Sequence, residues 1–177
     1  MFQFEPLRHN QTVLRSLSLP RTTIVEAAVS DKSGKATLYS PDAWSPVASL
    51  YPRRDSQLQK YEFGKQEVEV VTIDDFIDSF GIDVVDFMKI DVEGNELAVL
   101  HGSRQALQSK RIKALTFEFG CGNINSRTYF HDFWDTLQGY GYTIKRICPG
   151  GILLKIETYY EDLEYFRGVS NYLATFE

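Results

Sequence analysis

Two carboxylates two positions apart, Asp91 and Glu93, stand where an apolar run gives way to glycine and then to a helical stripe. The run Val84-Val85-Asp86-Phe87-Met88-Lys89-Ile90 carries β-branched residues and reads as a strand buried on both faces, as in a parallel sheet. Leu97, Ala98 and Leu100 begin a helix that Gly102 is placed to stop. The pair therefore falls on the rim beyond a strand's carboxyl end, where open α/β sheets bind ligands. In extended backbone, residues two apart face one side. Carboxylates there can take a proton from a reacting hydroxyl or sit beside a cation. Lys89 can pair with either acid. Glu118 ends a second apolar run, 112–119, on the same rim. Glu5 follows another strand end, where a carboxylate's two oxygens suit the two vicinal hydroxyls of a ribose.

Each of these residues also has a plainer reading. Glu93 can cap the following helix, and Asp91 can order the loop through backbone N–H groups. Glu5 can be a solvated acid stabilised by a helix dipole. Asp91, Glu93 and Glu118 together can also be read as an oxygen cluster for Mg²⁺ or Ca²⁺, although no metal is assigned. His101 and His131 stand alone and read as structural or solvated. The aromatic stripe Tyr129, Phe130, Phe133 and Trp134 reads as a buried helix face.

Alternating strands and helices must position these residues. Strands are expected at 1–4, 23–29, 36–39, 66–72, 84–90 and 112–119. Pro6 suits the first turn of a helix with Leu7, Val13, Leu14 and Leu17 on one face, stopped by Pro20. Thr72 can cap a helix carrying Phe76, Ile77 and Phe80, and Ser103 can cap a short turn holding Ala106 and Leu107. Residues 126–137 read as a helix that Gly139 and Gly141 end. Segments 142–148 and 152–156 flank Pro149-Gly150-Gly151 as a hairpin, and a short helix at 159–166 and a strand at 169–174 close the chain. Residues 40–65, broken by Pro41, Pro46, Pro52 and Gly64, form a long loop whose Trp44 and Tyr51 are candidates for contact with an acceptor. The pattern spells one α/β domain over residues 1–177, with antiparallel strands at one edge.

Composition narrows the function. With 177 residues, 43% hydrophobic and 24% charged, the chain can bury a core of its own. A net charge of −5 without a basic block argues against nucleic acid or an anionic membrane as partner. No apolar run approaches the roughly 20 residues that span a bilayer. Cys121 and Cys148 lack metal-site spacing, and a reducing cytoplasm is the default setting.

The run Lys89-Ile90-Asp91-Val92-Glu93-Gly94-Asn95-Glu96-Leu97, followed by Leu100-His101-Gly102, resembles the signature of the FkbM-type S-adenosylmethionine-dependent methyltransferases. Phe4-Glu5-Pro6, Ala27-Ala28-Val29-Ser30-Asp31-Lys32-Ser33-Gly34, Val71-Thr72-Ile73-Asp74-Asp75-Phe76 and Leu115-Thr116-Phe117-Glu118-Phe119 agree in order. The resemblance implies a Rossmann-like, mostly parallel sheet and methyl transfer from S-adenosylmethionine to a hydroxyl of a sugar or secondary metabolite. It gives Glu5 to the cofactor's ribose and sets Ser30 and Asp31 beside its adenine, although Asp-Lys-Ser-Gly is turn chemistry without any ligand. Their places on the rim make Asp91 and Glu118 the candidates for chemistry, with Asp91 near the cofactor's cation. In that family a strand and a glycine-rich turn precede Phe-Glu-Pro. Here Phe4 is the fourth residue, so the expected sheet lacks its first strand and carries two unpaired edges, a hazard for association. A fragment of a longer protein, a neighbouring copy filling the gap, or a closed-up sheet would each account for this. The alternative function is a non-catalytic remnant serving as an interaction module.

Overall fold

The computed structural model describes residues 1–41, 46–165 and 168–176. In chain order its elements are β1 (Phe2–Phe4), α1 (Arg8–Ser16), β2 (Thr23–Val25), β3 (Ala28–Val29), β4 (Gly34–Ser40), β5 (Gly64–Val71), α2 (Ile73–Ser79), β6 (Met88–Ile90), α3 (Glu96–His101), α4 (Arg104–Gln108), β7 (Ala114–Gly120), α5 (Cys121–Ser126), α6 (Phe130–Gly139), β8 (Thr143–Ile147), β9 (Leu153–Lys155) and β10 (Val169–Thr175).

Among the described residues the strands form three sheets: β1-β2, β3-β5-β4 and β6-β7-β10-β8-β9. Pairs β1-β2, β3-β5 and β6-β7 are parallel. Pairs β4-β5, β7-β10, β10-β8 and β8-β9 are antiparallel. The architecture is therefore mixed α/β, and the expected mostly parallel sheet is corrected. The tight reversal at 148–152 returns the chain beside itself and makes the antiparallel pair β8-β9, while β4 runs antiparallel to β5 across the longer connection between them. The hairpin β8-β9 does lie at an edge, with β9 outermost.

Three local expectations also change. The strand expected over 23–29 is two short strands, β2 and β3, which join different sheets. The helix expected over 126–137 begins only at Phe130, as α6, and a separate helix, α5, precedes it, with Arg127 left-handed between them (φ 58). The helix expected over 159–166 is a 3-10 turn, Glu161–Glu164, and Phe166 lies outside the described residues.

The largest correction concerns 84–90. Only Met88–Ile90 forms strand β6, with an isolated bridge from Val85 to Ile112 ahead of it. Val84 is 46% exposed and Phe87 56% exposed. Burial on both faces needs a packed layer on each, which Val84 and Phe87 lack; among the described residues β6 also pairs on one edge only, with β7. Strand β1 likewise pairs only with β2.

The main core lies where α6 packs on β7 and β10. Phe133 stacks on Phe117 with ring centroids 4.9 Å apart, and Tyr172 lies 5.3 Å from Phe117 on the neighbouring strand. Phe130 and Phe133 are buried as expected, but Tyr129, at the helix cap, is exposed. A second, smaller cluster of Leu7, Ala28, Leu38, Val68 and Val70 ties the start of α1 to the three-stranded sheet. The rest of α1 contributes little, since Val13 and Leu17 are exposed and only Gln11 within the helix is buried.

Two helix starts are held by side chains, one local and one from another helix. Thr72 accepts from the Asp75 N–H, as its type and position predict. Ser103 does not cap α4, because its hydroxyl donates to the Val99 carbonyl. Asp74 does so instead, accepting from the N–H groups of Gln105 and Ala106 at 2.9 Å each.

Candidate functional site

The loop between β6 and α3 is shaped by Glu96. Its Oε1 accepts from the N–H groups of Val92 and Gly94, both at 3.1 Å, folding the loop back over the start of the helix. The carboxyl is almost fully buried, and its Oε2 has no partner. Burial pushes its pKa up to about 7, against the lowering effect of the N–H donors. The loop-ordering role expected of Glu93 and Asp91 thus belongs to Glu96. Its place two residues after Gly94, directly before the apolar stripe, was the one available signal.

Glu93 is turned to another use. It stands in the left-handed region (φ 54) and accepts from Arg53 Nη1 at 2.6 Å. Arg53, with its side chain only 5% exposed, also donates from Nε to Asp55 at 2.6 Å. Burial opposes its charge, but the hydrogen bonds and charges of Asp55 and Glu93 outweigh that, and its pKa is raised. Arg53 thereby pins the segment between β4 and β5 onto the β6–α3 loop. Ser49 adds a hydrogen bond to the Glu93 carbonyl at 2.7 Å. No local pattern announces a pairing across 40 residues. Beneath it, Gly94 and Gly122 touch backbone to backbone. A Cβ on Gly94, which also has positive φ (101°), would lie 2.5 Å from the Gly122 carbonyl oxygen.

These elements enclose a cavity of about 190 Å³. Glu5, Asn10, Asp91 and Glu93 supply its polar wall, with Phe4, Leu7, Val29 and Leu50 among its apolar lining. Glu5 and Asp91, more than eighty residues apart, thus meet on one cavity. Glu5 Oε1 accepts from the Leu7 N–H at 2.8 Å and Oε2 from the Asn10 amide at 3.1 Å, so it orders the start of α1 while keeping lone pairs free. The Asn10 amide oxygen is buried and has no partner. Asn10 escapes a reading of the sequence because an asparagine inside a helix carries no mark of a site; its spacing of five from Glu5 was the only hint.

Asp91 accepts from Lys89 Nζ at 2.5 Å in a partly exposed pair, of the kind worth at most about 1 kcal/mol. Glu118 lies within β7, not at its end, since the strand runs on to Gly120. It is outside the cavity lining, but the register Ile90↔Phe117 brings it level with Asp91. Burial raises its pKa, and the charges of Asp91 and Glu93 raise it further against Lys89. Ser30 and Asp31 lie outside the lining as well, bonded to each other at 3.3 Å. Tyr51 is half-buried near the charges of Asp31 and Glu96, and Trp44 lies outside the described residues. Among the described residues no group of three or more His, Cys, Asp or Glu is arranged to hold a metal, so the Asp91, Glu93 and Glu118 oxygen cluster is not assembled. Among those residues no helix is long and apolar enough to cross a membrane.

The family model described as the methyltransferase FkbM domain matches residues 1–144. The chain belongs to the FkbM methyltransferase family. The matched span contains the carboxylates of the cavity, the β6–α3 loop and Glu118, and it stops after the first residues of β8. No curated protein and no solved structure matches the chain significantly.

Proposed function

We propose that this FkbM-family chain binds S-adenosylmethionine against Glu5, Asn10 and Asp91 and methylates a hydroxyl of a sugar or secondary metabolite. The observation that carries the reading is the meeting of Glu5, the orphaned Asn10 amide oxygen and Asp91 on one cavity. Three acceptor groups on one wall suit a ligand rich in donors, as a ribose and an α-amino group are. The fit is partial. At about 190 Å³ the cavity is below the roughly 300–1,000 Å³ of whole ligand pockets, so its walls take a part of such a molecule. The adenine contact expected at Ser30 and Asp31 gains no support from the cavity.

When bound, the cofactor supplies an electrophilic methyl group. The chain's own residues hold the reactants and manage the proton. Asp91 offers an anion on the cavity wall. Glu118, coupled to it and raised in pKa, is suited to receive a proton from the hydroxyl side. Holding donor and acceptor together supplies much of the rate. Among the described residues β1 and β6 each pair on one side only, which supports reading them as parts of one Rossmann-like sheet. The two free cysteines support a reducing, cytoplasmic setting.

Titration with S-adenosylhomocysteine tests the cofactor site. Glu5→Gln and Asn10→Ala should each weaken binding by about tenfold. Asp91→Asn should lower methyl transfer by about 10²-fold with little change in melting temperature. Unchanged affinity in both binding variants removes Glu5 and Asn10 from the site. A folded chain that shows no binding at all favours the second reading, a non-catalytic relative acting as an interaction module, which the small cavity also favours.

A further inference from the structure

A second cleft, of about 400 Å³, opens beside the first and is lined by Pro52, Arg54, Asp55, Ser56, Ile124, Asn125 and Arg127. Its charges are unbalanced. Asp55 is the one acid in the lining, and its Oδ2 is taken by Arg53 at 2.6 Å and by the Asn125 amide at 3.1 Å. Arg54 and Arg127 form no ion pair among the described residues, and both side chains are exposed in the cleft. The backbone holds them there. The Arg54 N–H donates to Asn125 Oδ1 at 2.9 Å, and Arg127 is fixed in the left-handed cap of α5. In a chain of net charge −5, two uncompensated guanidinium groups on one cleft are a local reversal of sign.

The cleft and the cavity share a wall. Arg53 bridges Asp55, which lines the cleft, to Glu93, which lines the cavity. A molecule seated in the cleft therefore lies one side chain away from the carboxylates described above. Guanidinium groups match oxyanions with paired, charge-assisted hydrogen bonds, and Ser56 and Asn125 add neutral polar partners. We propose that this cleft binds the acceptor through a negatively charged oxyanion, a carboxylate or a phosphate, using Arg54 and Arg127. The assignment to the acceptor rests on the methyl-transfer reading. The oxyanion site itself rests on the cleft alone.

The full chain would be titrated with glucuronate, glucose 6-phosphate and neutral glucose while the arginine Nε–H resonances are followed by NMR. Either anionic probe should shift Arg54 and Arg127, and the tighter of the two identifies the oxyanion. Glucose should shift neither. Arg54→Gln and Arg127→Gln should each weaken anion binding at least about tenfold, whereas Arg104→Gln, at an exposed position outside the cleft, should leave it unchanged. Melting curves of the variants check that they fold, and Arg54→Lys gives a second, charge-preserving variant that should keep partial affinity. No shift with either anion, equal binding of glucose, or an equal loss in Arg104→Gln overturns the proposal. Neither cofactor nor turnover enters this measurement. Its failure therefore leaves the methyl-transfer reading standing, and loss of S-adenosylhomocysteine binding leaves the anion result intact.

Discussion

Phe133 and Phe87 lie on either side of the same five-stranded sheet's fate: one is fully buried, the other 56% exposed. Phe133 sits on α6 over β7 and β10, strands with neighbours on both sides. Phe87 leads into β6, which has a neighbour on one side only. Burial here is a property of the pairing around a residue more than of the residue's own type. A strand acquires two dry faces only when other layers cover both; Ile90 within β6 is covered, at 2% exposed, whereas Phe87 just ahead of it is not.

Substitutions can break this contrast. The largest effect is expected at the packed face. Phe133→Ala removes a ring stacked on Phe117 and should cost about 3–5 kcal/mol, read as a lower urea midpoint. A loss under about 1 kcal/mol would show that α6 repacks freely.

The next effect belongs to the loop between the two regions. Glu96 has a folded-state pKa of about 7 against an ordinary value of 4.5, so the folded state holds its proton more tightly than the unfolded state does. Stability should therefore fall as pH rises from about 5 to about 7, by an amount on the order of 3 kcal/mol. Glu96→Gln keeps an acceptor for Val92 and Gly94 without the charge, and should flatten this dependence. Urea melts of both proteins at pH 5, 6, 7 and 8 check it, and parallel curves would show that Glu96 does not titrate in this window.

A smaller loss is expected at the cap of α4. Asp74→Ala frees two N–H groups and should cost about 0.5–2 kcal/mol, whereas Ser103→Ala should not reproduce a cap loss because Ser103 bonds to Val99. The smallest effect is expected at the open edge. Phe87→Ser should change stability by less than about 0.5 kcal/mol. A large loss there would mean that Phe87 is covered in solution, and light scattering would show whether by a second copy.

The sequence was legible where structure is local. Thr72 as a cap, the Pro149-Gly150-Gly151 reversal and the terminal strand follow from turn chemistry and alternation over a few residues. Glu5 and Asp91 were found separately, each from its place after an apolar run, and they line one cavity. What escaped depends on distance along the chain. Arg53 reaching Glu93 joins residues 40 apart, and Asp74 capping α4 spans about 30. Glu96 gains its role only through burial that the fold supplies. The strand expected at 84–90 was misjudged because apolar composition reports what a segment can bury, not what is beside it.

The contact between Gly94 and Gly122 has a consequence for how variation can spread through this chain. The backbone at each glycine occupies the volume that the other's side chain would need, the Gly122 carbonyl on one side and the Gly94 amide on the other. Neither position can gain a methyl group first and wait for the other to adjust, since both already carry the smallest residue and the opposing atoms are backbone. In a saturation library selected for folding, both sites should retain glycine almost alone, and no pairwise combination should rescue them. The two loops that meet there are free to diversify around the contact but not through it.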